Sequence, residues 1–115
     1  MHITERKIQD VVVLDLKGRM TIEDGADPLH EKFNTLIHTG HSKVLLNMGG
    51  VPHLDSGALG TLVSCSQIAR RANSALKLFG LSRRVVELLA ITKLTTVFET
   101  FNTEEEALSS FMATV

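Results

Sequence analysis

The chain has 115 residues, of which 43% are hydrophobic and 22% charged, and its formal net charge at pH 7 is -1. These values are ordinary for one globular domain of roughly 100–150 residues, so we predict a single domain over residues 1–115. A nearly neutral chain without Trp or Tyr lacks the positive field and the stacking platforms of nucleic-acid-binding proteins, and we therefore expect no nucleic-acid partner.

Two strands and a helix are predicted for the first third of the chain. Residues 3–8 and 11–16 are rich in aliphatic residues on either side of Gln9-Asp10, a pattern that predicts an opening β-hairpin. Over residues 26–37 the apolar positions recur at three- and four-residue spacing. This spacing predicts an amphipathic helix, and Gly40 marks its end.

A buried strand and a second helix follow. Residues 43–48 are mostly apolar and stand before Gly49-Gly50, which is typical of a strand buried on both faces of a sheet. After a loop over residues 51–54, apolar residues recur at helical spacing from Ser56 onward. Asp55 is well placed to cap this second helix.

Two further strands and two short helices are predicted for the last third. Residues 75–79 and 96–98 have the composition of strands, and Ser82 is expected to cap a helix between them. A final helix begins at Thr103-Glu104-Glu105-Glu106, which has the pattern of a capping box. The apolar residues expected to pack this helix down are Leu108, Phe111 and Met112.

The predicted order of elements is β-β-α-β-α-β-α-β-α. Strand-helix-strand units cross over right-handed and place their strands side by side in parallel. The sequence therefore predicts an α/β fold with a mixed β-sheet, in which an opening hairpin is followed by parallel strands, and about four helices.

The start of the second helix carries a recognisable motif. Residues 54–60 read Leu-Asp-Ser-Gly-Ala-Leu-Gly, which resembles the Asp-Ser-Ser-Gly-Leu-Gly signature of the STAS-type anti-sigma factor antagonists. Residues 13–20 and 43–48 upstream, and 81–89 downstream, resemble further segments of the same family. The resemblance covers nearly the whole chain and implies a STAS domain.

The resemblance also implies a phosphorylation switch at Ser56. In this family the serine after the Asp is phosphorylated by a kinase that is itself the anti-sigma factor, and phosphorylation releases that partner. The implied partners are an anti-sigma factor with serine kinase activity and a protein phosphatase. The unphosphorylated form is expected to bind the anti-sigma factor and so to free a sigma factor.

The implied partner-binding surface surrounds this serine. The residues assigned to it are Gly49, Gly50, His53, Asp55, Ser56, Gly57, Ala58, Leu59, Gly60 and Thr21. We expect Leu62 to belong to the core, and Leu59, near the start of the helix, to be exposed to the partner. The chain departs from the family pattern at Gly57-Ala58, where Ser-Gly is usual, and at Thr21, where an Asp often follows the glycine turn.

Other interpretations of the same residues remain open. Spacing alone is equally compatible with Ser56 as a plain helix N-cap. The domain is also compatible with an unmodified structural subunit of a larger assembly, such as a stress-signalling or lipid-transport complex. A hydrolase using Ser56, His53 and Asp55 is disfavoured, because three nearly adjacent residues do not easily form a catalytic triad and no Gly-x-Ser-x-Gly elbow is present. We expect no enzymatic activity.

Metals, cofactors and membranes have no support in the sequence. The five histidines include no pair at the four-residue spacing of a helical metal motif, and Cys65 has no second thiol to pair with. The glycines match neither of the common nucleotide-binding fingerprints. The longest apolar runs fall far below the ~20 residues needed to cross a bilayer, and residues 1–10 lack the apolar core of a secretory signal. We expect a cytoplasmic protein without a cofactor.

Overall fold

Five strands and four helices form the fold in the computed structural model, which describes residues 1–24 and 26–112. In chain order they are β1 (His2–Ile8), β2 (Val11–Lys17), α1 (Ala26–His38), β3 (Lys43–Gly50), α2 (Ser56–Arg71), β4 (Ala75–Phe79), α3 (Arg83–Ile91), β5 (Glu99–Phe101) and α4 (Glu104–Met112). The predicted fold class is confirmed, including the opening hairpin and the four helices.

The strands lie in the sheet in chain order, β1-β2-β3-β4-β5. The β1–β2 pair is antiparallel, and its tight turn places Gln9 in the left-handed region with a φ of 57°. The other three neighbouring pairs are parallel, with Val13 of β2 opposite Leu45 of β3 and Leu45 opposite Lys77 of β4. The carboxyl ends of β2, β3 and β4 therefore meet at one edge of the sheet.

Alternate residues of each strand face opposite sides of the sheet, and each side has its own apolar cluster. On one side, α1, α2 and α3 cover Val12, Val44 and Leu78. On the other side α4 covers Val13 and Leu45, among others. Because the central strands are covered on both faces, β2 and β3 read as nearly continuous apolar runs.

The last strand lies three residues later than the sequence predicted. Residues 96–98 are not a strand; β5 begins at Glu99, which pairs with Lys77 of β4. Phe98 instead packs into the first cluster, and the N–H of Val97 donates to the carbonyl of Leu94 at 3.1 Å in a turn. The β-branched composition of this segment therefore belongs to the turn after α3.

The final helix is anchored to the sheet differently from the prediction. Met112 is 56% exposed, so its expected packing role is wrong, and Ala107 is buried in its place with Phe111. Beneath α4, Lys77 is buried with its Nζ 2.8 Å from the hydroxyl of Ser110 and 4.5 Å from the ring centroid of Phe111. The ammonium group also lies 3.4 Å from a carboxylate oxygen of Glu99, so a hydroxyl, an aromatic ring and a carboxylate hold the buried cation under α4.

Candidate partner-binding site

The site lies where the carboxyl end of β3 leads into α2. β3 continues past the predicted boundary at Met48 to Gly50. The backbone of β2 approaches Gly50 so closely that a Cβ there would lie 2.6 Å from the carbonyl oxygen of Leu16. The N–H of Gly18 donates to the carbonyl of Gly50 at 2.9 Å. Only glycine allows this approach of two backbones, and it fixes the loop that follows β3.

The segment after β2 runs beside this loop. Met20 and Leu54 form a parallel bridge, and the N–H of Asp55 donates to the carbonyl of Met20 at 3.2 Å. Both Met20 and Leu54 are fully buried, which anchors the two segments in the first cluster. Residues 20–22 and 54–57 thus lie side by side, although they are more than thirty positions apart in the sequence.

Asp55 joins the two segments and caps α2. Its Oδ1 accepts the N–H of Ala58 at 2.8 Å, and its Oδ2 accepts the N–H of Ile22 at 3.1 Å. These two bonds, with a smaller contribution from His53, hold the pKa of the Asp55 carboxyl below its usual value, because they favour the charged form. The predicted cap is confirmed, and the same carboxylate also positions the neighbouring segment.

Ser56 is the first residue of α2 and is exposed. The N-cap role belongs to Asp55, so the interpretation of Ser56 as the N-cap is wrong. The Ser56 hydroxyl makes no hydrogen bond within the described residues 1–24 and 26–112. It is therefore accessible for modification without the loss of an internal contact.

Gly57 explains one departure from the family pattern. A Cβ at this position would lie 2.7 Å from the Cβ of Ile22, 3.1 Å from its Cδ1 and 3.2 Å from its Cγ1. Ile22 therefore packs directly over Gly57, while 57% of the isoleucine remains exposed. A serine at position 57 would need this isoleucine to move.

The other residues assigned to the surface divide by exposure. Gly49, His53 and Gly60 are exposed, whereas Thr21 is half-buried and its hydroxyl oxygen accepts the N–H of Asp24 at 3.0 Å. Thr21 thus closes its own turn, and the adjacent Ile22 contacts the site.

Ala58 and Leu59 are wrongly assigned to an accessible surface, and the expected difference between Leu59 and Leu62 is wrong as well. Ala58 is 0% exposed, Leu59 5% and Leu62 1%, and all three belong to the first cluster. The helix begins so close to the sheet that its first turn is already covered.

Two contributors to the site were missed by the sequence analysis. Ile22 precedes α1 and has no periodic signal, so its contact with Gly57 could not be read from local spacing. Ser82 was predicted as the cap of α3, and its hydroxyl does accept the N–H of Val85 at 3.2 Å. The same hydroxyl also donates to the carbonyl of Pro52 at 3.0 Å, which ties α3 to the loop before α2.

The geometry does not resemble a hydrolytic or metal centre. Both carboxylate oxygens of Asp55 accept backbone N–H groups, and no hydrogen bond joins Asp55 to His53 in the described residues, so the pair is not arranged as in a catalytic triad. Within residues 1–24 and 26–112, no group of three His, Cys, Asp or Glu side chains could hold a metal ion. In the same residues no helix is both long and apolar enough to span a membrane.

Comparison with known proteins identifies related chains. Residues 2–107 match the family model of the STAS domain. A TM1081 homologue of Thermotoga neapolitana, assigned as an anti-sigma factor antagonist, is 28% identical over 101 residues, which cover 88% of this chain and 89% of that protein.

Solved structures share the fold. TM1081 of Thermotoga maritima, assigned in the same way, superposes with a TM-score of 0.87 at 23% identity, covering 94% of this chain and 92% of the other. The unphosphorylated anti-sigma factor antagonist SpoIIAA gives a TM-score of 0.82 at 19% identity, with 99% of each chain covered. Its phosphorylated form, from Bacillus, gives 0.74 at 18% identity, with 96% and 99% covered.

Proposed function

Because the chain belongs to the STAS domain family, we propose that it is an anti-sigma factor antagonist switched by phosphorylation of Ser56. In its unphosphorylated form it binds an anti-sigma factor that is also a serine kinase, and this binding frees a sigma factor. A protein phosphatase restores the binding form. The protein acts in the cytoplasm and by binding rather than by catalysis.

The observation that carries this proposal is the exposed hydroxyl of Ser56, which has no hydrogen bond to any described part of the chain and lies beside a helix cap made by another residue. Since Asp55 caps α2, modification of Ser56 removes no hydrogen bond among residues 1–24 and 26–112. The phosphate would lie at a helix N-terminus, where free N–H groups and the helix dipole favour negative charge. The fold therefore tolerates the modification.

The same phosphate is expected to lower the affinity of the partner for this surface. Phosphorylation adds about 1.5 to 2 negative charges at pH 7 next to a carboxylate that is itself held in the charged form. A surface fitted to a neutral hydroxyl then faces both added bulk and a charge that must lose its water. We expect at least about a tenfold loss of affinity, which corresponds to 1.4 kcal/mol.

The contact surface consists of exposed residues around the serine. It includes Ser56 with Gly49, His53 and Gly60, and also the exposed side chain of Ile22. Ala58 and Leu59 are buried and are not part of it. This surface is small and mostly uncharged, so a partner can approach the hydroxyl closely.

The test uses the purified protein and each serine kinase of the anti-sigma type from the source organism. With ATP, the cognate kinase should add one phosphoryl group, which peptide mapping by mass spectrometry should place at Ser56. Calorimetric titration should show at least about tenfold weaker binding of the phosphorylated form. Ser56→Ala should abolish modification, and Ser56→Asp should weaken binding in part.

Ser109→Ala is the matched control, because Ser109 is also an exposed helical serine but lies on α4. It should leave both modification and affinity unchanged. Phosphate at another residue, or equal affinity of the two forms, would remove Ser56 as the switch. Equal affinity would favour the structural-subunit interpretation.

A further inference from the structure

A groove runs between α3 and the loop that precedes α2. Its volume is about 190 Å³, and Leu54, Leu88 and Ile91 supply its apolar lining. His53 and Arg84 also line it. Small-molecule sites usually have about 300–1,000 Å³. The groove is therefore sized for one or two protein side chains rather than for a ligand or cofactor.

One face of α3 is left open to this groove. Arg84, Leu88 and Ile91 recur at four- and three-residue spacing and line it. Glu87 and the buried Val85 also line the groove, whereas Leu89 is buried against the core. Ile91 is 79% exposed, which is unusual for a large aliphatic residue beside an apolar recess. Leu88 packs in part against the first cluster, so the uncovered apolar surface of the helix at this groove is centred on Ile91.

Two charged side chains of α3, Arg84 and Glu87, line the groove. Glu87 pairs with Arg83 at 3.5 Å, one helical turn away. The Arg84 side chain forms no ion pair or hydrogen bond within residues 1–24 and 26–112. A partner segment that places a carboxylate opposite Arg84 would complete the rim, and such complementarity favours the correct partner.

The groove is continuous with the surface around Ser56. Leu54 and His53 line it and directly precede the Asp55 cap, and the hydroxyl of Ser82 fixes the loop to α3 through the carbonyl of Pro52. A protein that contacts the Ser56 hydroxyl therefore meets His53 and then the groove on the same side of the molecule.

We propose that this groove receives an apolar side chain, flanked by an acidic residue, from the same anti-sigma kinase that contacts Ser56. This inference rests on the proposed function and adds a second contact to it. The apolar anchor fills the recess between Leu88 and Ile91, and the acidic residue pairs with Arg84. A buried apolar anchor surrounded by polar contacts is the usual arrangement of an energetically important interface position.

The experiment measures the affinity of the purified cognate kinase for four full-length variants. Ile91→Glu and Arg84→Glu should each weaken binding at least about tenfold, because one places a charge in the groove and the other reverses the rim charge. Val86→Glu is the matched control: Val86 is 48% exposed on the same helix but does not line the groove. Lys93→Glu controls for the general effect of charge reversal. Both controls should bind as the wild type does.

The outcomes separate this inference from the proposed function. If Ser56→Asp weakens binding and Ile91→Glu and Arg84→Glu do not, the groove is not a contact and only this inference fails. If no kinase of this type binds or modifies the wild type, both proposals fail. If Ile91→Glu instead abolishes a concentration-dependent dimer seen by sedimentation, the groove is occupied by a second copy and the inference is overturned.

Discussion

Replacing Gly57 with alanine tests the contact that distinguishes this chain from its family pattern. The added Cβ would lie 2.7 Å from the Cβ of Ile22, which side-chain rotation cannot move. The backbone of Ile22 must therefore shift, and the 3.1 Å hydrogen bond from its N–H to Asp55 lengthens. The perturbation separates the segment after β2 from the start of α2.

The magnitude follows from two opposing effects. Overpacking of this kind typically costs about 1–3 kcal/mol. Alanine is more favourable than glycine inside a helix by about 0.5–1 kcal/mol. The difference predicts a net loss of about 1 kcal/mol for Gly57→Ala, within a range of about 0–2.5 kcal/mol. At Gly60, in the same helix, a Cβ would meet no atom within 4 Å, so Gly60→Ala should give the gain alone.

Urea unfolding followed by far-ultraviolet circular dichroism measures both variants. Gly57→Ala should lower the free energy of unfolding, and Gly60→Ala should raise it. In an Ile22→Gly background, which removes the opposing Cβ, Gly57→Ala should become stabilising. If Gly57→Ala stabilised the wild-type protein as much as Gly60→Ala does, the contact with Ile22 would not constrain the site.

Four further substitutions test the switch, the helix cap, the core and an ion pair. Because the exposed Ser56 hydroxyl makes no internal bond in the described residues, Ser56→Ala should change stability by no more than about 0.5 kcal/mol in urea titration, and Asp55→Ala should lower the urea midpoint more. Leu59→Ala should cost about 2–5 kcal/mol, and a cost near zero would contradict its burial. The hydrogen bond from Arg6 holds the pKa of the Asp15 carboxyl below its ordinary value. This carboxylate therefore stabilises the fold at pH values above the unfolded pKa of about 3.9, and the stabilisation is lost as the pH falls through the lower pKa of the folded state. Asp15→Asn should flatten the acid side of the stability profile, and an unchanged profile would contradict the coupling.

Local patterns were sufficient for most of the elements. The bounds of β4 were predicted from residues 75–79 alone, and the Asp55 and Ser82 caps followed from residue type and position. These features depend on interactions within a few residues, which spacing reports directly. The same reasoning misplaced β5, because a β-branched turn after α3 has the composition of a strand.

Contacts between distant segments could not be predicted in the same way. The packing of Ile22 over Gly57 depends on the two backbones that meet at Gly50, and neither residue has a local signal for it. The exposure of Leu59 depends on how close the first turn of α2 lies to the sheet. Periodicity correctly placed Leu59 on the apolar face, but the covered part of that face is set by tertiary structure.

Because three helices cover one face of the sheet and one helix covers the other, the two faces should differ in how easily they unfold locally. In the described residues α4 is the single helix on its side, and it holds only Ala107 and Phe111 fully inside the second cluster. An element with so few buried contacts is the natural unit of sub-global unfolding, so its amides should exchange with solvent before those of α2. Each such opening would uncover Val13 and Leu45 while the Ser56 surface on the opposite side of the molecule stays assembled.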